Sequence, residues 1–321
     1  MAMCMIMIHH FIHHALHLSL VHPIIYKLVT PFFFCGVNLF FLISGWFGIK
    51  CSLKSIWNLC FIVLAFSVVN FLLCLAAGCP VSGDTWLNEF LFPVSFSHYW
   101  FLKVYLALII VAPLVNKGLD SLTVPQLRWL MAALTIFNIY SCPFGHNLTN
   151  ADGYSFMQGL FMYTVARYLT LDKTLLQWLR NRPALLFYFL FLIVDAGLSL
   201  RWNMEGIHAY NSVFVVGASL SLFVYLSSQP INSNAINYIA TGALGCYLLQ
   251  DGIFGEKFFY PFIGECLGGK NVFVITAAFI LLITVFWIVS LGLSFVVDRL
   301  KIALYGKIER HLPHAVKSTT F

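Results

Sequence analysis

Long apolar stretches, separated by short polar loops, recur along almost the whole chain and constrain its fold more than any other feature. Of the 321 residues, 60% are hydrophobic and 9% are charged, whereas a soluble domain has about a quarter charged residues. A helix needs roughly 20 apolar residues to cross a bilayer. We count about ten stretches of that length or nearly so: 1–22, 32–49, 55–77, 98–116, 126–143, 154–171, 183–200, 210–227, 236–252 and 271–296. The sequence therefore predicts an all-α polytopic membrane protein with about ten transmembrane helices, which form a single integral-membrane domain over residues 1–321.

Basic residues between the apolar stretches indicate how the chain is oriented in the bilayer. If the N-terminus is cytoplasmic, the inner loops and the C-terminal tail carry twelve Lys and Arg residues, and the outer loops carry four. Because cytoplasmic loops are enriched in Lys and Arg, we predict that both termini are cytoplasmic. The net charge of +6 is spread over these loops without a dense basic run, so we expect no nucleic-acid partner.

The first apolar stretch carries histidines on one helical face. It lacks the basic start and the cleavage site of a signal peptide, so we expect a retained helix. At about 100° per residue, His10, His13, His14 and His17 fall on one face, and His9 lies beside them. Ionisable residues in a spanning helix normally face the bundle interior or a water-filled cavity. Burial favours the neutral imidazole, which can accept a proton, so this face predicts a polar pathway with a general base.

Two other functions fit the same histidine face. The sequence from His10 to His14 reads H-x-x-H-H, which resembles a histidine box of membrane di-iron desaturases. A metal-dependent membrane oxidase would need further boxes, but a zinc site needs only three or four ligands, so a metal site on this helix stays open. A transporter or flippase of a lipid-linked sugar is the other alternative, although we find no repeated halves, which are frequent in transporters.

Further motifs follow the histidine helix in a fixed order. The second apolar stretch contains G-V-N-L-F-F-L-I-S-G from Gly36, in which Asn38 is a polar group at membrane depth. The later motifs are W-F-L-K-V-Y from Trp100, P-L-V-N from Pro113, Y-T-V-A-R-Y from Tyr163, Y-N-S from Tyr210 and G-C-Y-L-L-Q-D from Gly245. This ordered series resembles acyltransferase family 3, integral-membrane acyltransferases that modify glycans and other acceptors. The resemblance covers nearly the whole chain.

The chain departs from the family pattern at three positions. Asn38 stands where the family often has Asp, and Gln250 stands where it often has His. The family's first helix commonly carries an Arg, ten residues and then a His, and with His10 as that histidine the Arg falls two residues before Met1. We therefore expect the natural start of the protein to lie upstream of Met1, and the alternative is a family member that lacks this Arg and is inactive.

What the resemblance implies is transfer of an acyl group, usually acetyl, from cytoplasmic acyl-CoA to a hydroxyl of a surface polysaccharide or lipid-linked glycan. His10 would act as general base, or would carry the acyl group as an acyl-imidazole, and the sequence leaves both routes open. His9 and His13 are further catalytic candidates, and Asn38 is a candidate oxyanion donor. Acyl-CoA would be a co-substrate, and we expect no bound cofactor. The expected location is a bacterial plasma membrane.

Charged and polar residues near the predicted helix ends are candidate binding residues. Arg167 lies in the inner third of the sixth stretch, where an unpaired cation is costly, up to roughly 2.5–3.5 kcal/mol at a helix centre. We therefore expect Arg167 to bind CoA phosphates, with Lys50 and Lys54 as further candidates on the inner surface. Lys103 and Asp195 are a candidate ion pair. The candidate acceptor-binding residues near the outer helix ends are Trp100, Lys103, Asp195, Asn211 and Gln250.

Overall fold

The computed structural model describes residues 1–16, 23–79, 93, 99–140, 151–202 and 205–311. These residues contain helices and no β-strand, which confirms the all-α prediction for the described part of the chain. The α-helices are α1 Ala2–His10, α2 Pro23–Val29, α3 Pro31–Phe47, α4 Leu53–Ala76, α5 Trp100–Asp120, α6 Val124–Tyr140, α7 Phe156–Leu171, α8 Lys173–Arg180, α9 Ala184–Trp202, α10 Val213–Ser227, α11 Asn234–Thr241, α12 Ala243–Gln250, α13 Tyr260–Leu267 and α14 Val272–His311. Between them lie π-helical turns at Phe11–Leu16 and Gly255–Phe259 and 3₁₀ turns at Ala151–Gly153 and Glu205–His208.

Five segments of the described chain are long and apolar enough to cross a membrane: Tyr26–Phe47, Leu53–Ala76, Trp100–Asp120, Ala184–Arg201 and Val272–Tyr305. Each of the ten predicted stretches overlaps helical structure, but the count of ten spans is not confirmed. The physical reason is helix length. α6, α7 and α10 have 17, 16 and 15 residues, which is at or below the shortest usual crossing, about 17 residues.

Large apolar side chains are exposed along the longest helix. On α14, Phe273, Ile280 and Ile288 have exposed fractions of 82%, 60% and 64%. Exposure of such a surface to water is unfavourable, whereas lipid chains solvate it. The backbone polar groups are satisfied by hydrogen bonds within the helix itself. This surface agrees with a helix that is surrounded by lipid.

Side-chain caps fix the starts of several helices. Ser52 and Ser55 form a reciprocal capping box at the start of α4. Ser155 accepts a hydrogen bond from the Gln158 amide at the start of α7, and Ser212 caps α10 in the same way. These side chains satisfy amides of the first turn that have no partner within the helix.

The chain divides into two compact units. The first comprises Met1–His9, His22–Lys50 and Val104–Ile231, and the second comprises His10–Val21, Cys51–Lys103 and Asn232–Phe321. In the first unit, α3 packs against α7, and α9 packs against α10. Gly45 permits the contact of α3 with α7, because a Cβ at this position would lie 2.9 Å from the Ala166 Cβ and would collide with the Tyr163 carbonyl oxygen. Small residues at such crossings let membrane helices approach closely.

In the second unit, α12 packs against α4 and α14. α11 and α12 are separated by a break at Gly242, and side chains of α14 bond to the carbonyls at this break. Ser290 Oγ donates to the Gly242 carbonyl at 2.7 Å, and Trp287 Nε1 donates to the Ile239 carbonyl at 2.8 Å. Both carbonyls also accept a backbone amide, from Cys246 and Gly242 respectively, so the side chains of α14 add a second bond to each and fix the break against α14.

Candidate active site

The histidine-bearing segment ends α1 and continues into the π-helical turn at Phe11–Leu16, a distortion that is frequent at functional sites. His10 Nδ1 lies 3.6 Å from Asp251 Oδ1, and the two side chains are 15% and 12% exposed. This separation is within ion-pair range and longer than a hydrogen bond, and a carboxylate this close to the ring stabilises the imidazolium electrostatically. The structure therefore places a carboxylate beside the expected general base.

The other histidines of this segment are divided between the two units. His9 belongs to the first unit, is buried, and meets the Phe34 ring edge-on at a centroid distance of 4.5 Å. His13 is exposed, and its ring lies 4.9 Å from the ring of His14. His14 stacks on Tyr260 of α13 at 5.3 Å. The second unit therefore brings three histidines together, and His9 lies among residues of the first.

Gln250 lies at the end of α12, next to Asp251. The Tyr260 hydroxyl donates to Gln250 Oε1 at 3.2 Å. Gln250 Nε2 is buried and has no hydrogen-bond partner among the described residues. A buried amide donor without a partner carries a desolvation cost of about 1–3 kcal/mol, so this group is a candidate contact for a ligand.

Two side chains of the second unit hold the last turn of α12. Asn70 Nδ2 and the Tyr99 hydroxyl both donate to the Leu248 carbonyl, each at 2.8 Å. Carbonyls in the last turn of a helix lack intrahelical partners, and here the partners come from α4 and from the residue before α5. These two bonds fix the segment from which Asp251 reaches His10.

A buried amide network joins α3, α7 and the segment before α10 in the first unit. Asn38 Nδ2 donates to the Tyr210 carbonyl at 2.9 Å. Gln158 Nε2 donates to Asn38 Oδ1 at 3.0 Å and to the same Tyr210 carbonyl at 2.8 Å. Both amide side chains are fully buried. One N–H of Asn38 is thus committed to the backbone, and the predicted role of Asn38 as an oxyanion donor would use the other.

Asn211 follows this network and is supported by a strained loop. Asp152 and Gly153 have φ values of 56° and 86°, and the Tyr210 amide donates to the Asp152 carbonyl at 3.0 Å. A Cβ on Gly153 would lie 2.9 Å from the Asn211 amide nitrogen, so the close approach requires glycine. The Asn211 side chain is fully buried, and neither its oxygen nor its nitrogen has a hydrogen-bond partner in the described part of the chain.

Asp195 has a partner that the sequence did not reveal. Its Oδ2 lies 2.7 Å from His208 Nδ1, and His208 Nε2 lies 2.9 Å from Ser199 Oγ. The sequence suggested Lys103 as the partner, but the fully buried Asp195 bonds to His208, and Lys103 is exposed. Asp195 and Ser199 are four residues apart on one face of α9, a spacing that is visible in the sequence. The loop before His208 gave no indication that this side chain returns to α9.

Arg167, near the end of α7, has an acidic partner. Its Nη2 donates to Asp120 Oδ1 at 2.9 Å, and its side chain is 18% exposed. Its Nε is buried and has no hydrogen-bond partner among the described residues. The cation expected to be unpaired is therefore paired with the last residue of α5, and one donor remains available. Lys50 and Lys54 are both exposed.

Two residues from separate motifs hold the backbone next to Lys50. The Tyr163 hydroxyl donates to Asn116 Oδ1 at 2.8 Å and accepts from the Ile49 amide at 3.0 Å. Asn116 Nδ2 donates to the Ile49 carbonyl at 3.2 Å. This closed ring of hydrogen bonds fixes the chain after α3, in the unit that carries Arg167.

Asp172, between α7 and α8, is the acceptor of a second cluster. Arg128 Nε donates to its Oδ2 at 2.8 Å, and the Tyr168 hydroxyl donates to the same oxygen at 3.1 Å. The Leu175 amide donates to Oδ1 at 3.0 Å, so that Asp172 also caps α8. These hydrogen bonds, above all that of the Arg128 guanidinium, hold the pKa of Asp172 below its ordinary value.

The remaining acceptor-binding candidates lie at the start of α5, in the second unit. Trp100 is half-buried and meets Phe101 edge-on at 6.2 Å, and Lys103 is exposed. Both are thus in part accessible to a ligand. His17, which the sequence places on the histidine face, lies outside the described residues.

Comparison with known proteins identifies the family. The family model described as an acyltransferase domain, that of acyltransferase family 3, matches residues 1–298. No curated protein and no solved structure matches the chain. The match covers the histidine segment, the amide network and the Gln250–Asp251 turn, and it confirms the resemblance drawn from the ordered motifs. The chain belongs to acyltransferase family 3 and is a membrane acyltransferase.

Proposed function

We propose that the protein transfers an acyl group, most simply acetyl, from cytoplasmic acyl-CoA to a hydroxyl of a surface polysaccharide or lipid-linked glycan, with His10 as general base. The observation that carries this proposal is the position of Asp251 Oδ1, 3.6 Å from His10 Nδ1. The proposed location is a bacterial plasma membrane, with both termini in the cytoplasm.

The chemistry requires little beyond an oriented base. A thioester is already activated, so the difficult step is to make the acceptor hydroxyl nucleophilic. In our proposal the hydroxyl proton passes to His10 Nε2 while the oxygen attacks the thioester carbonyl, and Asp251 stabilises the imidazolium. When the tetrahedral intermediate collapses, the CoA thiolate leaves and takes that proton. A positioned general base contributes typically about 10²–10⁴-fold to such a rate.

For the donor, we propose that Arg167 binds a CoA phosphate. Its buried Nε has no partner among the described residues, and a guanidinium matches phosphate oxygens in a bidentate geometry. The exposed Asp120 carboxylate would then give up part of its contact to the phosphate. Lys50 and Lys54 are proposed to contribute exposed positive charge.

For the acceptor, the proposed contacts are the polar groups with unused hydrogen-bonding capacity. Gln250 Nε2 and the Asn211 amide are buried donors without a partner in the described chain, and sugar hydroxyls are suitable acceptors for them. Trp100 would supply an aromatic face. Lys103 is proposed to contact the acceptor, and His9, His13 and Asn38 are proposed to lie near the reaction. Asp195, predicted as an acceptor contact, is fully buried and bonded to His208, so we do not propose it for this role.

The test compares two histidines of the same segment in the purified full-length protein. With acetyl-CoA and a glycan acceptor, His10→Gln should lower kcat about 10²–10⁴-fold and leave acetyl-CoA binding unchanged. His14→Gln is the matched control, because this ring stacks on Tyr260 and has no proposed chemical role. Equal activity of His10→Gln and the parent protein would remove His10 as the base. If neither the parent protein nor any variant transfers acetyl to any of the glycans offered, the proposal of a glycan acceptor is wrong.

A further inference from the structure

A second histidine–carboxylate pair lies in the first unit, and a serine completes it. The Asp195 carboxylate is fully buried, and its Oδ2 lies 2.7 Å from His208 Nδ1. On the other side of the ring, His208 Nε2 lies 2.9 Å from the Ser199 hydroxyl. Carboxylate, imidazole and hydroxyl are therefore connected in the order that activates a serine nucleophile.

The hydroxyl of Ser199 is directed differently from those of comparable helical residues. Within helices, Ser and Thr hydroxyls often bond to the carbonyl four residues earlier. Three buried or half-buried residues of this chain do so, at 2.8, 2.8 and 2.6 Å: Ser44 to Phe40, Thr164 to Leu160 and Ser219 to Val215. The hydrogen bond of Ser199 in the described structure is instead made with His208. When the Asp195 carboxylate holds the proton on Nδ1, Nε2 is the nitrogen that accepts the hydrogen bond from the Ser199 hydroxyl.

We propose that Ser199, His208 and Asp195 form a second catalytic centre, which hydrolyses short-chain carboxylic esters. Ser199 Oγ attacks the ester carbonyl, and its proton passes to His208 Nε2. The tetrahedral intermediate expels the alcohol, which takes that proton and leaves an acyl ester on Ser199. Water then attacks this ester, gives its proton to His208, and releases the carboxylic acid as Ser199 recovers its hydrogen. Asp195 is a positioning residue that holds Nδ1 protonated and stabilises the imidazolium.

The surroundings of the three residues define the class of ester. Ser199 is 3% exposed, whereas the His208 side chain is 15% exposed, so only a small acyl group can reach the hydroxyl. The ring of Phe34 lies near those of His208 and Tyr210, at centroid distances of 6.3 and 5.2 Å, and provides an apolar surface for an acyl chain. Acetyl esters are therefore the best match.

The test uses the purified full-length protein in detergent, without acyl-CoA. p-Nitrophenyl acetate, whose acetyl group is small enough to reach the hydroxyl, should acetylate the protein, and peptide mass spectrometry after an acid quench should locate this acetyl label on Ser199. Hydrolysis of p-nitrophenyl acetate gives the rate. Ser199→Ala should abolish both signals, and His208→Gln should lower both about 10²–10⁴-fold. Ser219→Ala is the matched control, because Ser219 is a buried helical serine that bonds to the Val215 carbonyl and to Cys35 and has no proposed chemical role.

Asp195→Asn separates positioning from folding. It should lower the labelling rate and change its pH profile, while the melting temperature measured in the same detergent stays close to that of the parent. Absence of label on Ser199 in the folded parent overturns the proposal, and so does labelling that His208→Gln leaves unchanged. Because acyl-CoA is absent from both assays, these results are independent of whether His10 supports acyl transfer.

Discussion

The amide network of the first unit predicts a measurable coupling between two buried side chains. Asn38→Leu removes the bonds from Asn38 to Tyr210 and from Gln158 to Asn38. Gln158→Met removes the second of these bonds and the bond from Gln158 to Tyr210. Leu and Met approximate the shapes of the amides that they replace, so lost packing contributes little. Each single variant thus loses two of three bonds, and one bond is shared between them.

The shared bond sets the size of the expected non-additivity. Hydrogen bonds between membrane helices average about 0.6 kcal/mol, so each single variant should lose about 1.2 kcal/mol and the double variant about 1.8 kcal/mol. Independent sites would give about 2.4 kcal/mol. With about 1 kcal/mol per bond, the double variant would lose about 3 kcal/mol, against about 4 for additivity. The coupling energy should therefore equal one bond, about 0.6–1 kcal/mol.

The assay is reversible unfolding in mixed micelles with increasing SDS, followed by tryptophan fluorescence, with the free energy obtained by linear extrapolation. Asn237→Leu on α11 is the control, because this side chain is exposed and its loss should stay within about 0.5 kcal/mol. A double variant whose loss equals or exceeds the sum of the single losses would refute the shared bond, and with it the observed arrangement of Asn38, Gln158 and Tyr210.

Two further predictions concern packing and pH. Gly45→Ala should destabilise the protein by about 1–3 kcal/mol. Gly197→Ala is the control, because no atom lies within 4 Å of its new methyl group, and it should preserve stability. Equal SDS midpoints for the two variants would contradict the close crossing of α3 and α7. Because the pKa of Asp172 is lowered in the folded state, its stabilising effect is present above the ordinary value of about 3.9 and is lost as the pH falls through the folded value. Asp172→Asn should therefore lower the melting temperature at pH 7 and lower it much less at pH 2, and a difference that does not change with pH would be inconsistent with the bond from Arg128.

The sequence predicts the helices well because their cause is local. Runs of apolar residues must satisfy their own backbone in lipid, and helices achieve this without any knowledge of tertiary contacts. The breaks are harder to predict. α12 ends at Gln250, one residue before the motif ends, and its Leu248 carbonyl is satisfied by Asn70 and Tyr99, which lie far away in the sequence. Only the tertiary structure shows that such an interruption can be stabilised.

In the candidate site as well, the local pattern could be predicted from the sequence and the long-range contacts could not. The histidine face is periodic, so spacing predicts a candidate base on this face, and the family resemblance selects His10 from it. Its partner Asp251 is visible in the sequence only as part of a motif, because nothing local indicates that the turn after α12 meets the end of α1. The pair of Asp195 and His208 is not predicted for the same reason, since thirteen residues and a turn separate the two.

The two histidine–carboxylate pairs solve the same physical problem in the two units. A buried imidazole that accepts a proton alone would create an isolated cation in an apolar environment, which costs several kcal/mol. Beside a carboxylate, the same proton converts a site with one negative charge into a neutral ion pair, so proton uptake removes a net charge from the interior. His10 with Asp251 and His208 with Asp195 both have this composition. The amides of Asn38 and Gln250, which stand where the family often has titratable residues, add hydrogen-bond donors and no charge. In each of these two pairs, proton uptake by the imidazole forms a neutral ion pair, which is the condition that a base for hydroxyl groups has to meet within a membrane.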